Sequence, residues 1–346
     1  MPPAQMTSAV KVRSPERSRV CELQRARLIA AATELAFERG AAGVTVSAIV
    51  GRAAISRRTF YDLFSSCEQC LLAAFQDALQ RAEQRVAANG QAGGSWRQRV
   101  RAALAALLAF CEECPEAAHM LVVESLSCGP EAMRIREQAL SRLVAAVEEG
   151  RREIRRGPEP AALADEALVG AAVGVVHTRL LRRAQDLRRR AGANGAGRRT
   201  GGRPDPPVGR LIELLGPLMS MIVMPYLGMA AARRELAQRP PRPGAYATIK
   251  RAQQQVSLGP RGMRLTNRTI LVLSAIAELN ADDQAPSNRQ VASAAGAADQ
   301  GQISKLLARL RRLGLIDSKT PRGRGQANQW RLTPAGQALV SSFAPL

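Results

Sequence analysis

Four of the six cysteines stand as two Cys-x-x-Cys pairs, Cys67 with Cys70 and Cys111 with Cys114, a spacing that can hold zinc or run thiol–disulfide exchange. Four-cysteine zinc sites usually set two such pairs about fifteen to twenty residues apart. Here 40 residues separate Cys70 from Cys111, and both pairs fall in or at the ends of helical patterns, so no metal site is expected. Cys67, near a helix start, is the thiol whose pKa such a position could lower. A thiol-based redox sensor or oxidoreductase using these pairs is therefore kept as an alternative. His119 and His177 are the only histidines. No Ser-His-Asp set or carboxylate pair assembles around them, so the sequence predicts no catalytic residues, no cofactor and no enzyme.

The second set of chemically apt residues suits a polyanion. In the stretch 45–64, TVSAIVGRAAISRRTFYDLF, Thr45 can cap a short helix whose inner face is Ile49 and Ala53. Ala54-Ile55 makes a turn, and Ser56 caps a second helix. Ile55, Phe60, Leu63 and Phe64 then point inward, leaving Arg57, Arg58, Thr59 and Tyr61 outward near the helix N-terminus. That is a helix-turn-helix, with Arg57, Arg58, Thr59 and Tyr61 as base and phosphate candidates. Thr45, Ser47 and Ser56 at the helix starts are phosphate candidates.

Around these residues the sequence resembles the tetracycline-repressor (TetR) family of bacterial transcription regulators. The resemblance runs from Arg25 through RLIAAATELAFERG (27–40), Thr45, Ile49, Phe60-Tyr61 and Phe64 into LLAAF (71–75). Two positions depart from the family pattern: Ala54 stands where the turn usually has Gly, and Cys67 where a Lys commonly opens the next helix. The resemblance implies a homodimer on a palindromic double-stranded operator, most often a repressor, released when a small apolar effector enters a helical body.

Charge agrees with such a partner. The formal net charge of +21 and pI near 11.3 suit nucleic acid. The distribution says more than the total. Residues 1–27 carry six Lys or Arg against two acids, while residues 28–78 carry four against five, so the reading head is not itself basic and its phosphate affinity must come from elsewhere. Reduced cysteines and a polar N-terminus point to a cytoplasmic protein. The uncharged run from Leu214 to Ala232 has the length of a membrane span, but Pro217 and Pro225 interrupt it, and Arg210 and Glu213 crowd one end. It is expected to be a buried dimer helix instead.

Taken in order, the expected organisation is mainly all-α. A flexible basic arm occupies 1–24, and the helix-turn-helix domain 25–78. A helical ligand-binding and dimerisation body follows over 79–239, with a mobile Arg/Gly/Pro-rich loop at 186–208. Helices at about 160–185 and 208–236 are expected to build the dimer, with Leu211, Leu214, Leu215, Leu218, Met219 and Ile222 as contacts. Phe110, His119, Met120, Val123, Leu126 and His177 are the pocket candidates. A Pro-rich linker spans 240–262.

Residues 263–346 predict a winged helix-turn-helix. Thr266 and Ser287 cap its first two helices, 302–313 forms the third, and two short strands flank PRGRG (321–325). LGLI (313–316) and LTPAG (332–336) resemble the MarR-type winged-helix group. Gln300, Gln302, Ser304, Lys305 and Arg309 on or beside the helix, with Arg322 and Arg324 on the wing, are its DNA candidates. A scaffold whose winged helix docks a protein is the other alternative. The segment carries eleven basic against five acidic residues.

Overall fold

The computed structural model of the chain describes residues 15–89, 94–154, 160–193, 209–240, 266–281, 285–296, 300–319 and 329–341. Among the described residues the fold is helical apart from one small two-stranded sheet. The chain divides into two compact units: residues 1–28, 50–63 and 252–346 form one, and residues 29–49 and 64–251 the other.

Helix α1 spans Pro15–Arg39. It starts ten residues before Arg25, so the expected flexible arm is corrected: residues 15–24 are helical, and only 1–14 lie outside the described residues. The polar composition of this stretch hid two apolar residues, Val20 and Leu23, both of which are buried. Gly40, at φ 80°, ends the helix, because a left-handed residue lets the chain turn away without a Cβ penalty. Helices α2 (Val46–Ala53) and α3 (Arg57–Leu63) follow, then α4 (Cys67–Asn89).

In the larger unit α4 packs with α5 (Trp96–Glu113) and α6 (Pro115–Val122), and α7 (Pro130–Glu148) lies on α8 (Ala164–Ala193). Ser95 caps α5 through a reciprocal capping box with Gln98, satisfying two backbone donors at once. The last long helix of the body, α9 (Leu215–Ala237), is interrupted at Gly228 by a non-helical backbone, three residues after Pro225. The stretch Leu211–Ala237 has the length and hydropathy of a membrane span, yet Leu215, Leu218, Met219, Ile222 and Val223 are buried in the body.

That burial corrects the expected interface. Leu211, Leu215, Leu218, Met219 and Ile222 fill the interior of the protomer, and Leu214 is half-buried. An apolar helix has the same composition whether its own chain or a second copy covers it; here α5 lies against it. Its seam is also ionic. Glu235 on α9 is buried beside Arg101 and, at 3.5 Å, Arg97 of α5. Helix α8 likewise runs eight residues further than its expected end, so 186–193 is helix rather than loop, while 194–208 lie outside the described residues.

In the smaller unit, α10 (Asn267–Ala281), α11 (Asn288–Ala294) and α12 (Gln300–Arg312) are followed by strands β1 (Ile316–Lys319) and β2 (Gln329–Leu332) and helix α13 (Pro334–Ser341). The strands are antiparallel, with Ile316 opposite Leu332. Both expected caps form, Thr266 accepting from Thr269 N–H at 3.2 Å and Ser287 closing a capping box with Gln290. Gly336 is where α13 comes closest to the strand entry, and a Cβ there would overlap the Leu315 carbonyl.

One polar cluster ties the end of α1 to the body. Glu124, in a 3-10 turn after α6, accepts Ala41 N–H at 2.7 Å and lies 3.1 Å from Nε2 of the buried His119. Phe37 meets the His119 ring edge-on at 5.2 Å, and Arg188 of α8 donates to the Phe37 carbonyl. Burial pushes the Glu124 carboxyl up, but the hydrogen bonds from His119 and Ala41 N–H and the nearby charge of His119 and Arg188 outweigh it, holding the group below its usual range. A lowered folded-state pKa stabilises above the unfolded value of about 4.3 and is lost as pH falls through the folded one. Glu124→Gln keeps an acceptor but not the charge, so it should cost about 1 kcal/mol at neutral pH. That difference should shrink toward zero as the wild type protonates. Urea unfolding of both proteins between neutral and acid pH checks this, and a difference constant across the range would refute it.

Candidate nucleic-acid interface

The helix-turn-helix is built by short-range bonds that the residue types dictate. Thr45 Oγ1 accepts Ala48 N–H at 3.2 Å, starting α2, and Ile49 and Ala53 are buried on its inner side. The turn closes through Ala54 N–H to the Gly51 carbonyl and Ile55 N–H to the Val50 carbonyl. Ala54 takes φ 54°, and it is the only positive-φ non-glycine among the described residues. A left-handed alanine is strained by roughly 1 kcal/mol relative to glycine, so the geometry the turn needs is kept although the usual residue is not.

Ser56 Oγ then accepts Thr59 N–H at 3.0 Å and sits 2.8 Å from Thr59 Oγ1. Phe60 is fully buried and meets Tyr61 edge-on at 5.4 Å. The helical period therefore turns Arg57, Arg58 and Tyr61 outward; all three are exposed, Tyr61 by 58%. An aromatic ring of that size left in water beside two guanidinium groups is unusual for a solvated face and suits stacking or groove contact. Thr45 and Ser47 are exposed at the start of α2. Thr59 is half-buried, and with Ser56 it forms the cap; that pair positions α3 more than it faces outward.

In the winged helix, Ile303, Leu307 and Leu310 are buried, which leaves Gln302, Ser304, Lys305 and Arg309 exposed along α12. Two of these are held in place. Gln302 Oε1 accepts from Arg268, and Ser304 Oγ lies 3.0 Å from Asn288 Nδ2. Asn288 in turn accepts the buried indole N–H of Trp330 at 2.6 Å, connecting β2 to the face of α12. Gln300 opens α12, and Arg322 and Arg324 lie outside the described residues. The sequence reading missed Arg289, exposed on α11, and Arg311 and Arg312, exposed at the end of α12. The capping serine two residues before Arg289 was the signal that places it in the first turn of α11.

The remaining candidates separate. Phe110, His119 and Met120 are buried in the body, Val123 and His177 are half-buried, and Leu126 is 61% exposed. Leu126 is therefore no lining residue; the 3-10 turn that follows α6 rotates it into solvent. The thiols do not carry the redox expectation. Burial pushes Cys67 up instead of down, and its Sγ is 3.5 Å from the Val44 carbonyl. Cys111 is raised to about 12, chiefly by burial and by neighbouring Cys114 against the opposing charge of Arg183. Cys128 is raised to about 11 by burial and the charge of Glu124. Among the described residues no group of three His, Cys, Asp or Glu is placed to hold a metal ion.

Comparison with curated proteins gives no match. Among solved structures, a fatty acid degradation regulator from Bacillus halodurans is similar at 16% identity, covering 57% of this chain and 94% of its own, with a TM-score of 0.45. A TetR-like transcriptional regulator from Rhodococcus sp. RHA1 is 20% identical over 62% of this chain and 97% of its own, with a TM-score of 0.40. A TetR family transcription regulator from Marinobacter aquaeolei VT8 is 21% identical over 60% and 96%, with a TM-score of 0.39. The sequence profile of the bacterial regulatory proteins of the tetR family matches residues 28–74, the stretch that holds the C-terminal half of α1, both helices of the helix-turn-helix and the start of α4. That match falls on the segment whose caps, turn and outward arginines are described above, so residues 28–74 match the DNA-binding helix-turn-helix of the bacterial tetR-family regulatory proteins.

Proposed function

We propose that the chain is a cytoplasmic homodimer that represses transcription by binding a palindromic operator through α3, with the winged helix adding contacts to the flanking duplex. The observation that carries this is the exposed Arg57, Arg58 and Tyr61 set on a helix whose opposite side is locked by Phe60. Guanidinium groups in that place suit bidentate contacts to guanine edges, worth about 1 to 3 kcal/mol each in discrimination. The reading head has too few cations for the duplex on its own, and Lys305 and Arg309 supply a second cationic face. Release by a small apolar effector would act on the core around Phe110 and Met120, since α6 carries His119 toward Glu124 and Ala41.

The dimer is better served by α8 than by the residues first expected. Ala167, Gly170, Ala171, Gly174 and Thr178 lie exposed along one face, and nothing lies within 4 Å of where a Cβ would sit on Gly170 or Gly174. Leu163, Val175 and, on α9, Met224 and Met229 are exposed as well. Small residues let two helices approach closely, and larger ones at the margins give apolar area to bury.

Three measurements test the reading. Arg57→Ala and Arg58→Ala should each reduce the preference for operator over random duplex by roughly ten- to a hundredfold while the dimer persists; binding titrations on both duplexes would sink the proposal if the ratio were unchanged. Lys305→Ala with Arg309→Ala should lower the slope of log affinity against log salt by about 0.9 for each phosphate the variant no longer neutralises, measured on the same operator. An equal slope would mean that the winged helix docks something other than DNA. Gly174→Arg should give monomers in sedimentation velocity with helicity retained, and a variant still dimeric would place the interface elsewhere.

A further inference from the structure

The core of the winged helix is not completed by its own residues. Val20 and Leu23, three positions apart and hence on one face of α1, are 6% and 8% exposed in the same apolar cluster as Ile270, Leu273, Ile303 and Leu307. They lie in the part of α1 that precedes the family match at residue 28. A polar stretch such as 15–24 has little reason to be helical alone, since short isolated helices are marginal in water; burying one apolar face supplies the reason. Residues 50–63, which carry α3, belong to the same compact unit as this part of α1 and the winged helix.

We propose that the winged helix is seated in cis on the N-terminal extension of α1 through Val20 and Leu23, so that α3 and α12 read duplex at one fixed spacing and helical phase. The proposal rests on the DNA reading above for both helices, and the seating itself is testable without DNA. It differs in consequence from tethering. A flexible connection of the length of 240–265 spans roughly 25 to 30 Å, approaching one helical turn of about 34 Å, and would tolerate shifts of a flanking site. A seated module would not, because half a turn puts the flanking site on the opposite face of the duplex.

The test uses the intact protein and the operator it selects from a random pool. Inserting 5 or 10 base pairs between core and flank should lower wild-type affinity about tenfold or more, down to that of the Lys305→Ala/Arg309→Ala variant on the original operator. Val20→Asp/Leu23→Asp, or Val20→Ala/Leu23→Ala if the charged pair unfolds α1, should lose most of this dependence on spacing. Without DNA, either variant should enlarge the radius of gyration in small-angle scattering and speed hydrogen exchange in residues 17–24. Wild-type affinity that is indifferent to both insertions, while Lys305→Ala/Arg309→Ala still weakens binding, would show a tethered module and overturn the seating. Unchanged scattering and exchange in the variants would overturn it whatever the DNA result. If only Lys305→Ala/Arg309→Ala proved silent on DNA, with scattering and exchange shifted as expected, the seating would stand and the DNA role of α12 would fall.

Discussion

The attachment of the first DNA-domain helix to the body depends on one carboxylate. Gly40 stops α1 by turning left-handed, which leaves the next backbone N–H, that of Ala41, in need of a partner in a buried place. Glu124 supplies it from 83 residues away, and Glu124 is itself held by His119, whose ring is wedged against Phe37. A buried N–H without an acceptor costs a large fraction of a domain's net stability. The turn after α6 cannot move without carrying the start of α2 or giving up that bond. Within this unit, therefore, the start of α2 takes its position from the core around His119 and Glu124, and not from α1 alone.

The recognition helix is under a different constraint. With seven residues, α3 is far too short to be stable by propensity. It exists because Ser56 and Thr59 close its first turn and Phe60 is fully buried, so only the outward residues are free to vary in chemistry. The same division holds in the winged helix, where Ile303, Leu307 and Leu310 fix α12 and Asn288 and Arg268 pin two of its polar residues. In both helices packing fixes the inner side, and the side chains that face outward are the ones the proposed DNA reading uses.

This division explains what was legible in the sequence. Caps are local: Thr45, Ser56, Thr266 and Ser287 were identifiable by type and offset, and each accepts the bond expected of it. The buried set of the helix-turn-helix, Ile49, Ile55, Phe60 and Phe64, followed from period alone, and only Leu63, half-buried, is looser than expected. What failed was everything decided by a distant partner. Val20 and Leu23 are too sparse to signal a helix until the cluster that buries them is known. Leu215, Leu218 and Met219 form an apolar face that a second copy could have covered, but the protomer covers it first. Leu126 is as apolar as its pocket neighbours and points into water because a 3-10 turn rotates it there. The thiol of Cys67 sits at a helix start, yet its burial against Val44 outweighs that position.

The charge distribution then acquires a structural sense. A helix-turn-helix with four basic against five acidic residues has side chains for discriminating base edges but little long-range attraction for phosphate, and attraction of that kind is what draws a protein to DNA of any sequence. The last 84 residues add eleven basic against five acidic residues, and residues 252–346 share a compact unit with α3. On the proposed reading, selectivity comes from α3 and part of the attraction from the C-terminal segment. An arrangement in which the cationic part binds duplex on its own would hold the protein on random DNA. One in which the two parts share a rigid seat lets the attraction count fully only where the sequence under α3 is also right, since phosphates lie everywhere but the matched edges do not. Fixed geometry of this kind turns a non-specific force into part of the selection, which a free tether cannot do.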